Sequence, residues 1–427
     1  CRRWGDGPVT DRFPSGIDHY DFGDELSRLE RASRFHEWTK NLFDEGPHLV
    51  SCPELPWGDE VRQQSIEAYR RFIHGETWIT GGGAREMEAE IVAWMGGILG
   101  AIEPAGFVTS GGSESNMCAI LAARERAGVT QGGSLVYPAN AHYSVPKLCR
   151  MFGLEPIVVP SLEGSHFEVD LDAYTAAIRS DTIALFTTAG TWAYGTVDPI
   201  EAIGEIAVER DLHLHVDGAF GGYILPFLER SGYDPEIPRW DFRVPGVSTI
   251  SADLHKNGMA PPPAGTLFFR DADLLEHAKA VCPPNGTMTG TRGTGPIAGA
   301  WTMVKLLGDE GYQAVSLKSI ALRDELVAGV ADIDGLSVYP GSRINIALIH
   351  SDELDLRPVA TELRDRGWMF SARAVPEPVS IVVVPMPHNH GQVQPFLDDL
   401  RDAMKLAVPF DGAAAGAGDG PVSQYGF

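Results

Sequence analysis

Between Phe107 and Arg270, short apolar runs alternate with amphipathic segments, and this alternation constrains the fold more than any other feature of the chain. Residues 135–138, 157–160, 183–188, 212–216, 248–251 and 266–269 read as strands. Residues 113–126, 144–152, 171–178 and 200–210 repeat apolar side chains at helical spacing. Strands separated in turn by helices predict an α/β structure, a mainly parallel sheet covered on both faces. Such sheets bind ligands outside the carboxyl ends of their strands. That edge is where chemistry is to be sought.

The flanks read differently. Helical spacing recurs over 25–43, 61–73 and 85–99, with a glycine-rich aromatic loop, 74–83, that carries Trp78. After Thr291 come helices at 296–308 and 314–330, strands at 336–339, 344–350 and 379–384, and helices at 354–366 and 392–406. These predict a small C-terminal α+β domain. The expected division is an N-terminal segment (1–60) packing on the large domain or a dimer partner. A large domain (61–310), the small domain (311–410) and a disordered, Gly/Ala-rich tail (411–427) follow.

Composition excludes several function classes. With 58 acidic against 34 basic residues, the net charge of −24 disfavours nucleic acid and anionic membranes. No apolar run approaches the ~20 residues of a membrane helix. The opening residues lack Met and a signal-peptide core, so the chain is read as trimmed or processed there. Five separated cysteines with no CxxC pair suit a reducing cytoplasm better than a zinc site or a disulfide framework. No metal is expected. Lysines number seven against 27 arginines, so a lysine in a marked setting stands out.

Three motifs mark such settings. Thr109-Ser110-Gly111-Gly112-Ser113-Glu114-Ser115-Asn116 follows an apolar run and opens a helix. Its glycines admit an anion to the backbone, and the helix start favours a phosphate. His213-Leu214-His215-Val216-Asp217-Gly218-Ala219 places a carboxylate at a strand end, where burial requires a cationic partner such as a protonated pyridinium nitrogen. Ser251-Ala252-Asp253-Leu254-His255-Lys256 places an amine at another strand end, where loss of its proton permits an imine. Taken singly, these are a capped helix start, a capping or metal-binding Asp and a surface loop. Together, in this order on one sheet edge, they supply what pyridoxal 5′-phosphate requires: an anion cradle, a ring partner and an amine.

With these motifs and Gly290-Thr291-Arg292-Gly293, the chain resembles the group II pyridoxal-phosphate decarboxylases over about residues 60–388. Within that group it resembles archaeal-type tyrosine/aspartate decarboxylases, with sphingosine-phosphate lyase as kin. The resemblance implies an aspartate aminotransferase-like fold (fold type I) with a seven-stranded sheet, and a homodimer with its active site at the subunit interface. It implies that Lys256 carries the cofactor as a Schiff base, Asp217 pairs with the ring nitrogen and His142 stacks on the ring. Gly112, Ser113 and His255 would hold the phosphate, Ala219 would pack on the ring, and Thr291 would reach a phosphate across the dimer. The implied reaction is amino acid decarboxylation through an external aldimine and quinonoid. Carbon–carbon cleavage, as in the lyase, is the alternative.

Three departures bear on that reading. Trp192 stands where the family has a small hydroxyl residue, either narrowing or walling the site or pointing into the core. Between Arg270 and Arg292 there is no tyrosine to serve as the family's mobile proton donor; His277 and Cys282 are the histidine and thiol there. Without that donor, oxidative decarboxylation is a further outcome. Arg373, before the last strand, is a candidate for the substrate carboxylate. Pro261-Pro262-Pro263-Ala264-Gly265 resembles the decarboxylase form of its turn, not the lyase form.

Overall fold

A computed structural model describes residues 40–41, 58–75, 82–162, 167–233, 236–373 and 379–410. Among these, the six expected strands and a seventh, Ala105–Thr109, form one sheet in the order Ala105–Thr109, Gly265–Phe269, Val247–Ala252, His213–Asp217, Thr182–Thr188, Ser134–Pro138, Glu155–Val159. Gly265–Phe269 runs antiparallel to both its neighbours, and every other pairing is parallel. The central strands Ser134–Pro138, Thr182–Thr188 and His213–Asp217 are buried at every residue. Helices on both faces leave them no wet side, which is why they read as continuous apolar runs.

The carboxyl ends of all the parallel strands, including Ala105–Thr109, share one edge. Thr109 leads into helix Gly112–Arg126, and Pro138 leads toward His142. Thr188 leads toward Trp192, Asp217 ends its own strand, and Ala252 precedes Asp253 to Lys256. The Gly112–Arg126 helix lies against the sheet with residues 114 to 123 buried.

The two expected helices, 296–308 and 314–330, are both present within Thr294–Ala331, separated at Gly308. Gly308 has φ of 55° and ψ of −162°, a non-helical conformation open to glycine without a Cβ clash, and it kinks the chain between the two helices. Beyond it a four-stranded antiparallel sheet (Ser371–Arg373, Ser380–Val383, Ala347–His350, Ser337–Val338) packs with helices Arg357–Asp365 and Val393–Ala403. Its core centres on Trp368 and Phe396, whose rings meet edge-on at 5.2 Å. Of the helix expected over 25–43, only Lys40–Asn41 are described, and these pair as a strand with Trp368–Met369. Backbone pairing to that strand overrides the helical spacing there. Trp78 lies outside the described residues, as does the 411–427 tail. Arg373 ends its strand, with its side chain outside the description.

Candidate active site

A cavity of about 260 Å³ opens at this strand edge. Its lining includes Gly112, Ser113, His142, Trp192, Asp217, Ala219, His255 and Lys256. Every site residue expected on one chain, apart from Trp78 and Arg373, is therefore brought together. Thr291 is not among them. It lines an adjoining pocket of about 180 Å³ with Arg292, and that pocket shares Ser110 and Glu114 with the first.

Asp217 is buried at the floor, and three donors converge on it. Asn116 Nδ2 donates to Oδ2 at 2.7 Å, the Ala219 N–H to Oδ1 at 3.0 Å, and Ser251 Oγ to Oδ1 at 3.2 Å. A carboxylate accepts only, so this arrangement suits the ionised form. The strand's period of two puts His213, His215 and Asp217 on one face, toward the Gly112–Arg126 helix that supplies Asn116.

The helix start forms the second wall. Gly112 and Ser113 have no carbonyl one turn earlier to bond, so their N–H groups are available to an anion. A Cβ on Gly112 would stand 2.9 Å from the Ala219 Cβ and 3.2 Å from Asp253 Oδ2, so only glycine leaves this cradle open. At Gly111, with φ of 140°, a Cβ would stand 2.9 Å from His255 Cε1. His255 accepts the Ala264 N–H at Nδ1, which leaves Nε2 as the nitrogen that carries hydrogen beside the cradle.

Lys256 Nζ lies 3.1 Å from Asp253 Oδ2 and 4.3 Å from the centroid of the Phe220 ring. Asp253 is 1% exposed, and its Oδ1 has no hydrogen-bond partner among the described residues. Trp192 stacks on Phe220 at 5.0 Å and 26°. The indole lines the cavity and at the same time packs against the main core.

His142 Nδ1 meets Ser144 Oγ at 2.9 Å and accepts the Ser144 N–H at 3.2 Å. Burial lowers its pKa to about 4, against the pull of Asp217, so the ring is neutral. Within 270–292, His277 lies on helix Ala272–Val281 and Cys282 just after it, and neither lines the cavity. Tyr143 does line it, 47% exposed, with its ring 4.1 Å from that of His142.

Asn116, Asp253, Phe220 and Tyr143 all lie inside or beside the motifs legible in the sequence, which give none of them a role. Asn116 lies one turn beyond Gly112, hence on the same helix face. Asp253 lies three residues before Lys256. Those spacings were the available signals.

These residues fit pyridoxal phosphate: an open glycine cradle at a helix start, a fully hydrogen-bonded strand-end carboxylate, and a lysine beside a half-partnered acid. The chain matches the pyridoxal-dependent decarboxylase conserved domain over residues 75–338. A probable L-tyrosine/L-aspartate decarboxylase of Methanothermobacter thermautotrophicus is 34% identical over 309 residues, 71% of this chain and 83% of the relative. The L-aspartate decarboxylase of Thermococcus kodakarensis is 34% identical over 331 residues, 76% and 83% of the two chains. Among solved structures, a Burkholderia pseudomallei sphingosine-1-phosphate lyase superposes with a TM-score of 0.80 at 31% identity, covering 92% of each chain. Fold, site and likenesses agree: the chain belongs to the pyridoxal-dependent decarboxylase family, an aspartate aminotransferase-like enzyme whose cofactor is pyridoxal 5′-phosphate.

Proposed function

We propose that this enzyme decarboxylates a small acidic amino acid, with L-aspartate the first candidate, and that Lys256, Asp217 and His142 are its central residues. The observation that carries the site assignment is their meeting in one cavity with the Gly112–Ser113 cradle. The substrate rests on the relatives named L-aspartate decarboxylase. Bound pyridoxal phosphate supplies an electron sink that lets a bond at the substrate's Cα break.

The chain's own residues do the rest. Lys256 would provide the amine, and Asp253 holds its ammonium until then. Gly112, Ser113 and His255 would hold the phosphate, with Ala219 and His142 on the ring's faces. Asp217, fixed by its three donors, would hold the proton on the ring nitrogen. Tyr143, at the rim beside His142, is the hydroxyl placed to deliver a proton in the absence of a loop tyrosine. Trp192 and Phe220 exclude water from the Lys256 side.

Thr291 lies outside the Lys256 cavity, as a residue serving a partner's site would, and we take the enzyme to act as a homodimer. The unpaired Cys118, Cys149 and Cys282 suit a cytoplasmic setting, and no helix among the described residues is long and apolar enough to cross a membrane. A lyase reading has the 31% identical structure in its favour, but the decarboxylase relatives match at 34%.

Borohydride reduction followed by peptide mapping tests the anchor. The pyridoxyl adduct is expected on Lys256, and Lys256→Ala should lose it together with about 10³-fold or more of the CO2 release. An adduct on another lysine sinks the assignment. Aldehyde without CO2 from a phosphorylated amino alcohol would favour the lyase.

A further inference from the structure

We propose that Asn116 is a positioning residue that sets both the carboxylate of Asp217 and the ring of His142, as the hub of a directed hydrogen-bond chain running in from His213. The inference rests on the reading that Asp217 faces the cofactor's ring nitrogen.

The direction of each bond follows from what its atoms can do. Asn116 Nδ2 donates to Asp217 Oδ2 at 2.7 Å and to Ser144 Oγ at 3.2 Å. Its Oδ1, which can only accept, meets His215 Nε2 at 2.9 Å and shares the single Ser251 hydroxyl hydrogen, at 3.0 Å, with Asp217 Oδ1 at 3.2 Å. His215 therefore carries its hydrogen on Nε2. Burial keeps the ring neutral, with a pKa lowered to about 4, so Nδ1 is bare and accepts from Thr249 Oγ at 2.9 Å. With that hydroxyl hydrogen committed, Thr249 Oγ accepts from His213 Nε2 at 2.8 Å. His213 Nδ1 is left bare, buried and without a partner among the described residues. Every donor along this path points toward Asp217, and the uncompensated atom sits at the far end.

The second arm leaves from the same carboxamide. Ser144 Oγ accepts from Asn116, so its hydrogen goes to His142 Nδ1, and the Ser144 N–H also points there. Two donors on one nitrogen fix the neutral tautomer with hydrogen on Nε2. One buried side chain, 0% exposed, thus joins the residue that would face the ring nitrogen to the residue that would stack on the ring. Linked networks of this kind act as units.

The test is the pH titration of the bound cofactor's visible absorbance, with the cofactor dissociation constant measured alongside. Asn116→Leu keeps the shape and removes both arms. Its midpoint should move by about half a pH unit or more, and its dissociation constant should rise about tenfold. Ser144→Ala cuts only the His142 arm, and should lower kcat while leaving the midpoint in place. A folded Asn116→Leu enzyme with wild-type midpoint and affinity overturns the proposal. Should that variant fail to fold, the smaller Asn116→Ala decides, since it removes the same bonds to Asp217 and Ser144; an unmoved midpoint is again the overturning result. Asp217→Asn separates the two levels. If it too leaves the titration unchanged, the ring-nitrogen reading itself has failed. If it moves the midpoint and Asn116→Leu does not, only the role of Asn116 falls.

Discussion

Two buried carboxylates face the same cavity from neighbouring strands, and they are held in opposite ways. Asp217 has both oxygens matched by three donors from a helix, a strand and its own turn. Asp253 has one oxygen on Lys256 at 3.1 Å and the other without a hydrogen-bond partner among the described residues. The first corner is complete whatever occupies the cavity. The second is half built, and its cation, Lys256, is the group that in the proposed assignment would change partners when the cofactor binds. Burial alone does not separate them, at 4% and 1% exposed. What separates them is whether the surrounding polar atoms are already committed.

The sharpest way to break this contrast is Asp253→Asn. Removing one member of a buried ion pair leaves the other uncompensated, which costs about 3 kcal/mol or more. The cofactor-free protein should lose that amount, read as a lower thermal midpoint. With pyridoxal phosphate bound the loss should shrink, because Lys256 Nζ is then committed elsewhere. Equal losses in both states would mean that Asp253 is as fixed a part of the structure as Asp217.

The Asp217 corner should show itself through pH. Burial lowers His142 and His215 to about 4 and holds His213 well below its usual value. Histidines in an unfolded chain titrate near 6.5, so between about 4 and 6.5 unfolding takes up protons that the folded corner refuses. Stability therefore falls as pH drops through that window. Two acids oppose this. Burial pushes Asp198 up to about 7 and raises Asp241, so both hold protons when folded that they release on unfolding. Three groups against two leave the histidine sign. A drop from about pH 6.5 to 4.5 should cost on the order of 2 kcal/mol. Stability that is flat or rising on acidification would show that the three rings are not held neutral around Asp217.

The two corners also differed in how far the sequence disclosed them. The strands and helices that position both were legible to within a few residues, because apolar runs and helical spacing are one-dimensional signals. Helices Ser144–Phe152 and Ile200–Arg210 lie where the spacing puts them. Asp217 and Lys256 were legible because each ends a recognisable run. Asn116 was not, since its importance comes from meeting a strand 101 residues away. No local pattern encodes that contact. The break at Gly308 was legible too, because a glycine between two helical stretches signals a stop, and its non-helical backbone separates the two helices there. Trp192 could be placed near the cavity from its motif, while its direction depended on Phe220, 28 residues further along.

That direction sets the smallest of the expected effects and the most discriminating one. Trp192 stacks on Phe220, and Phe220 lies beneath Lys256 Nζ. An aromatic pair of this kind contributes about 1 kcal/mol beyond its buried area. Trp192→Thr should therefore lower kcat/KM by about threefold to tenfold. If the indole is only a wall that shapes the pocket, the change appears in KM, and larger amino acids gain relative to aspartate. If the stack holds Phe220 in place under Lys256, kcat falls instead, with KM little changed and no gain for larger substrates. The first outcome confines the half-built corner to Asp253 and Lys256. The second extends it through two aromatic rings, and gives this chain's departure from the family's small hydroxyl residue a part in setting the lysine rather than in choosing the substrate.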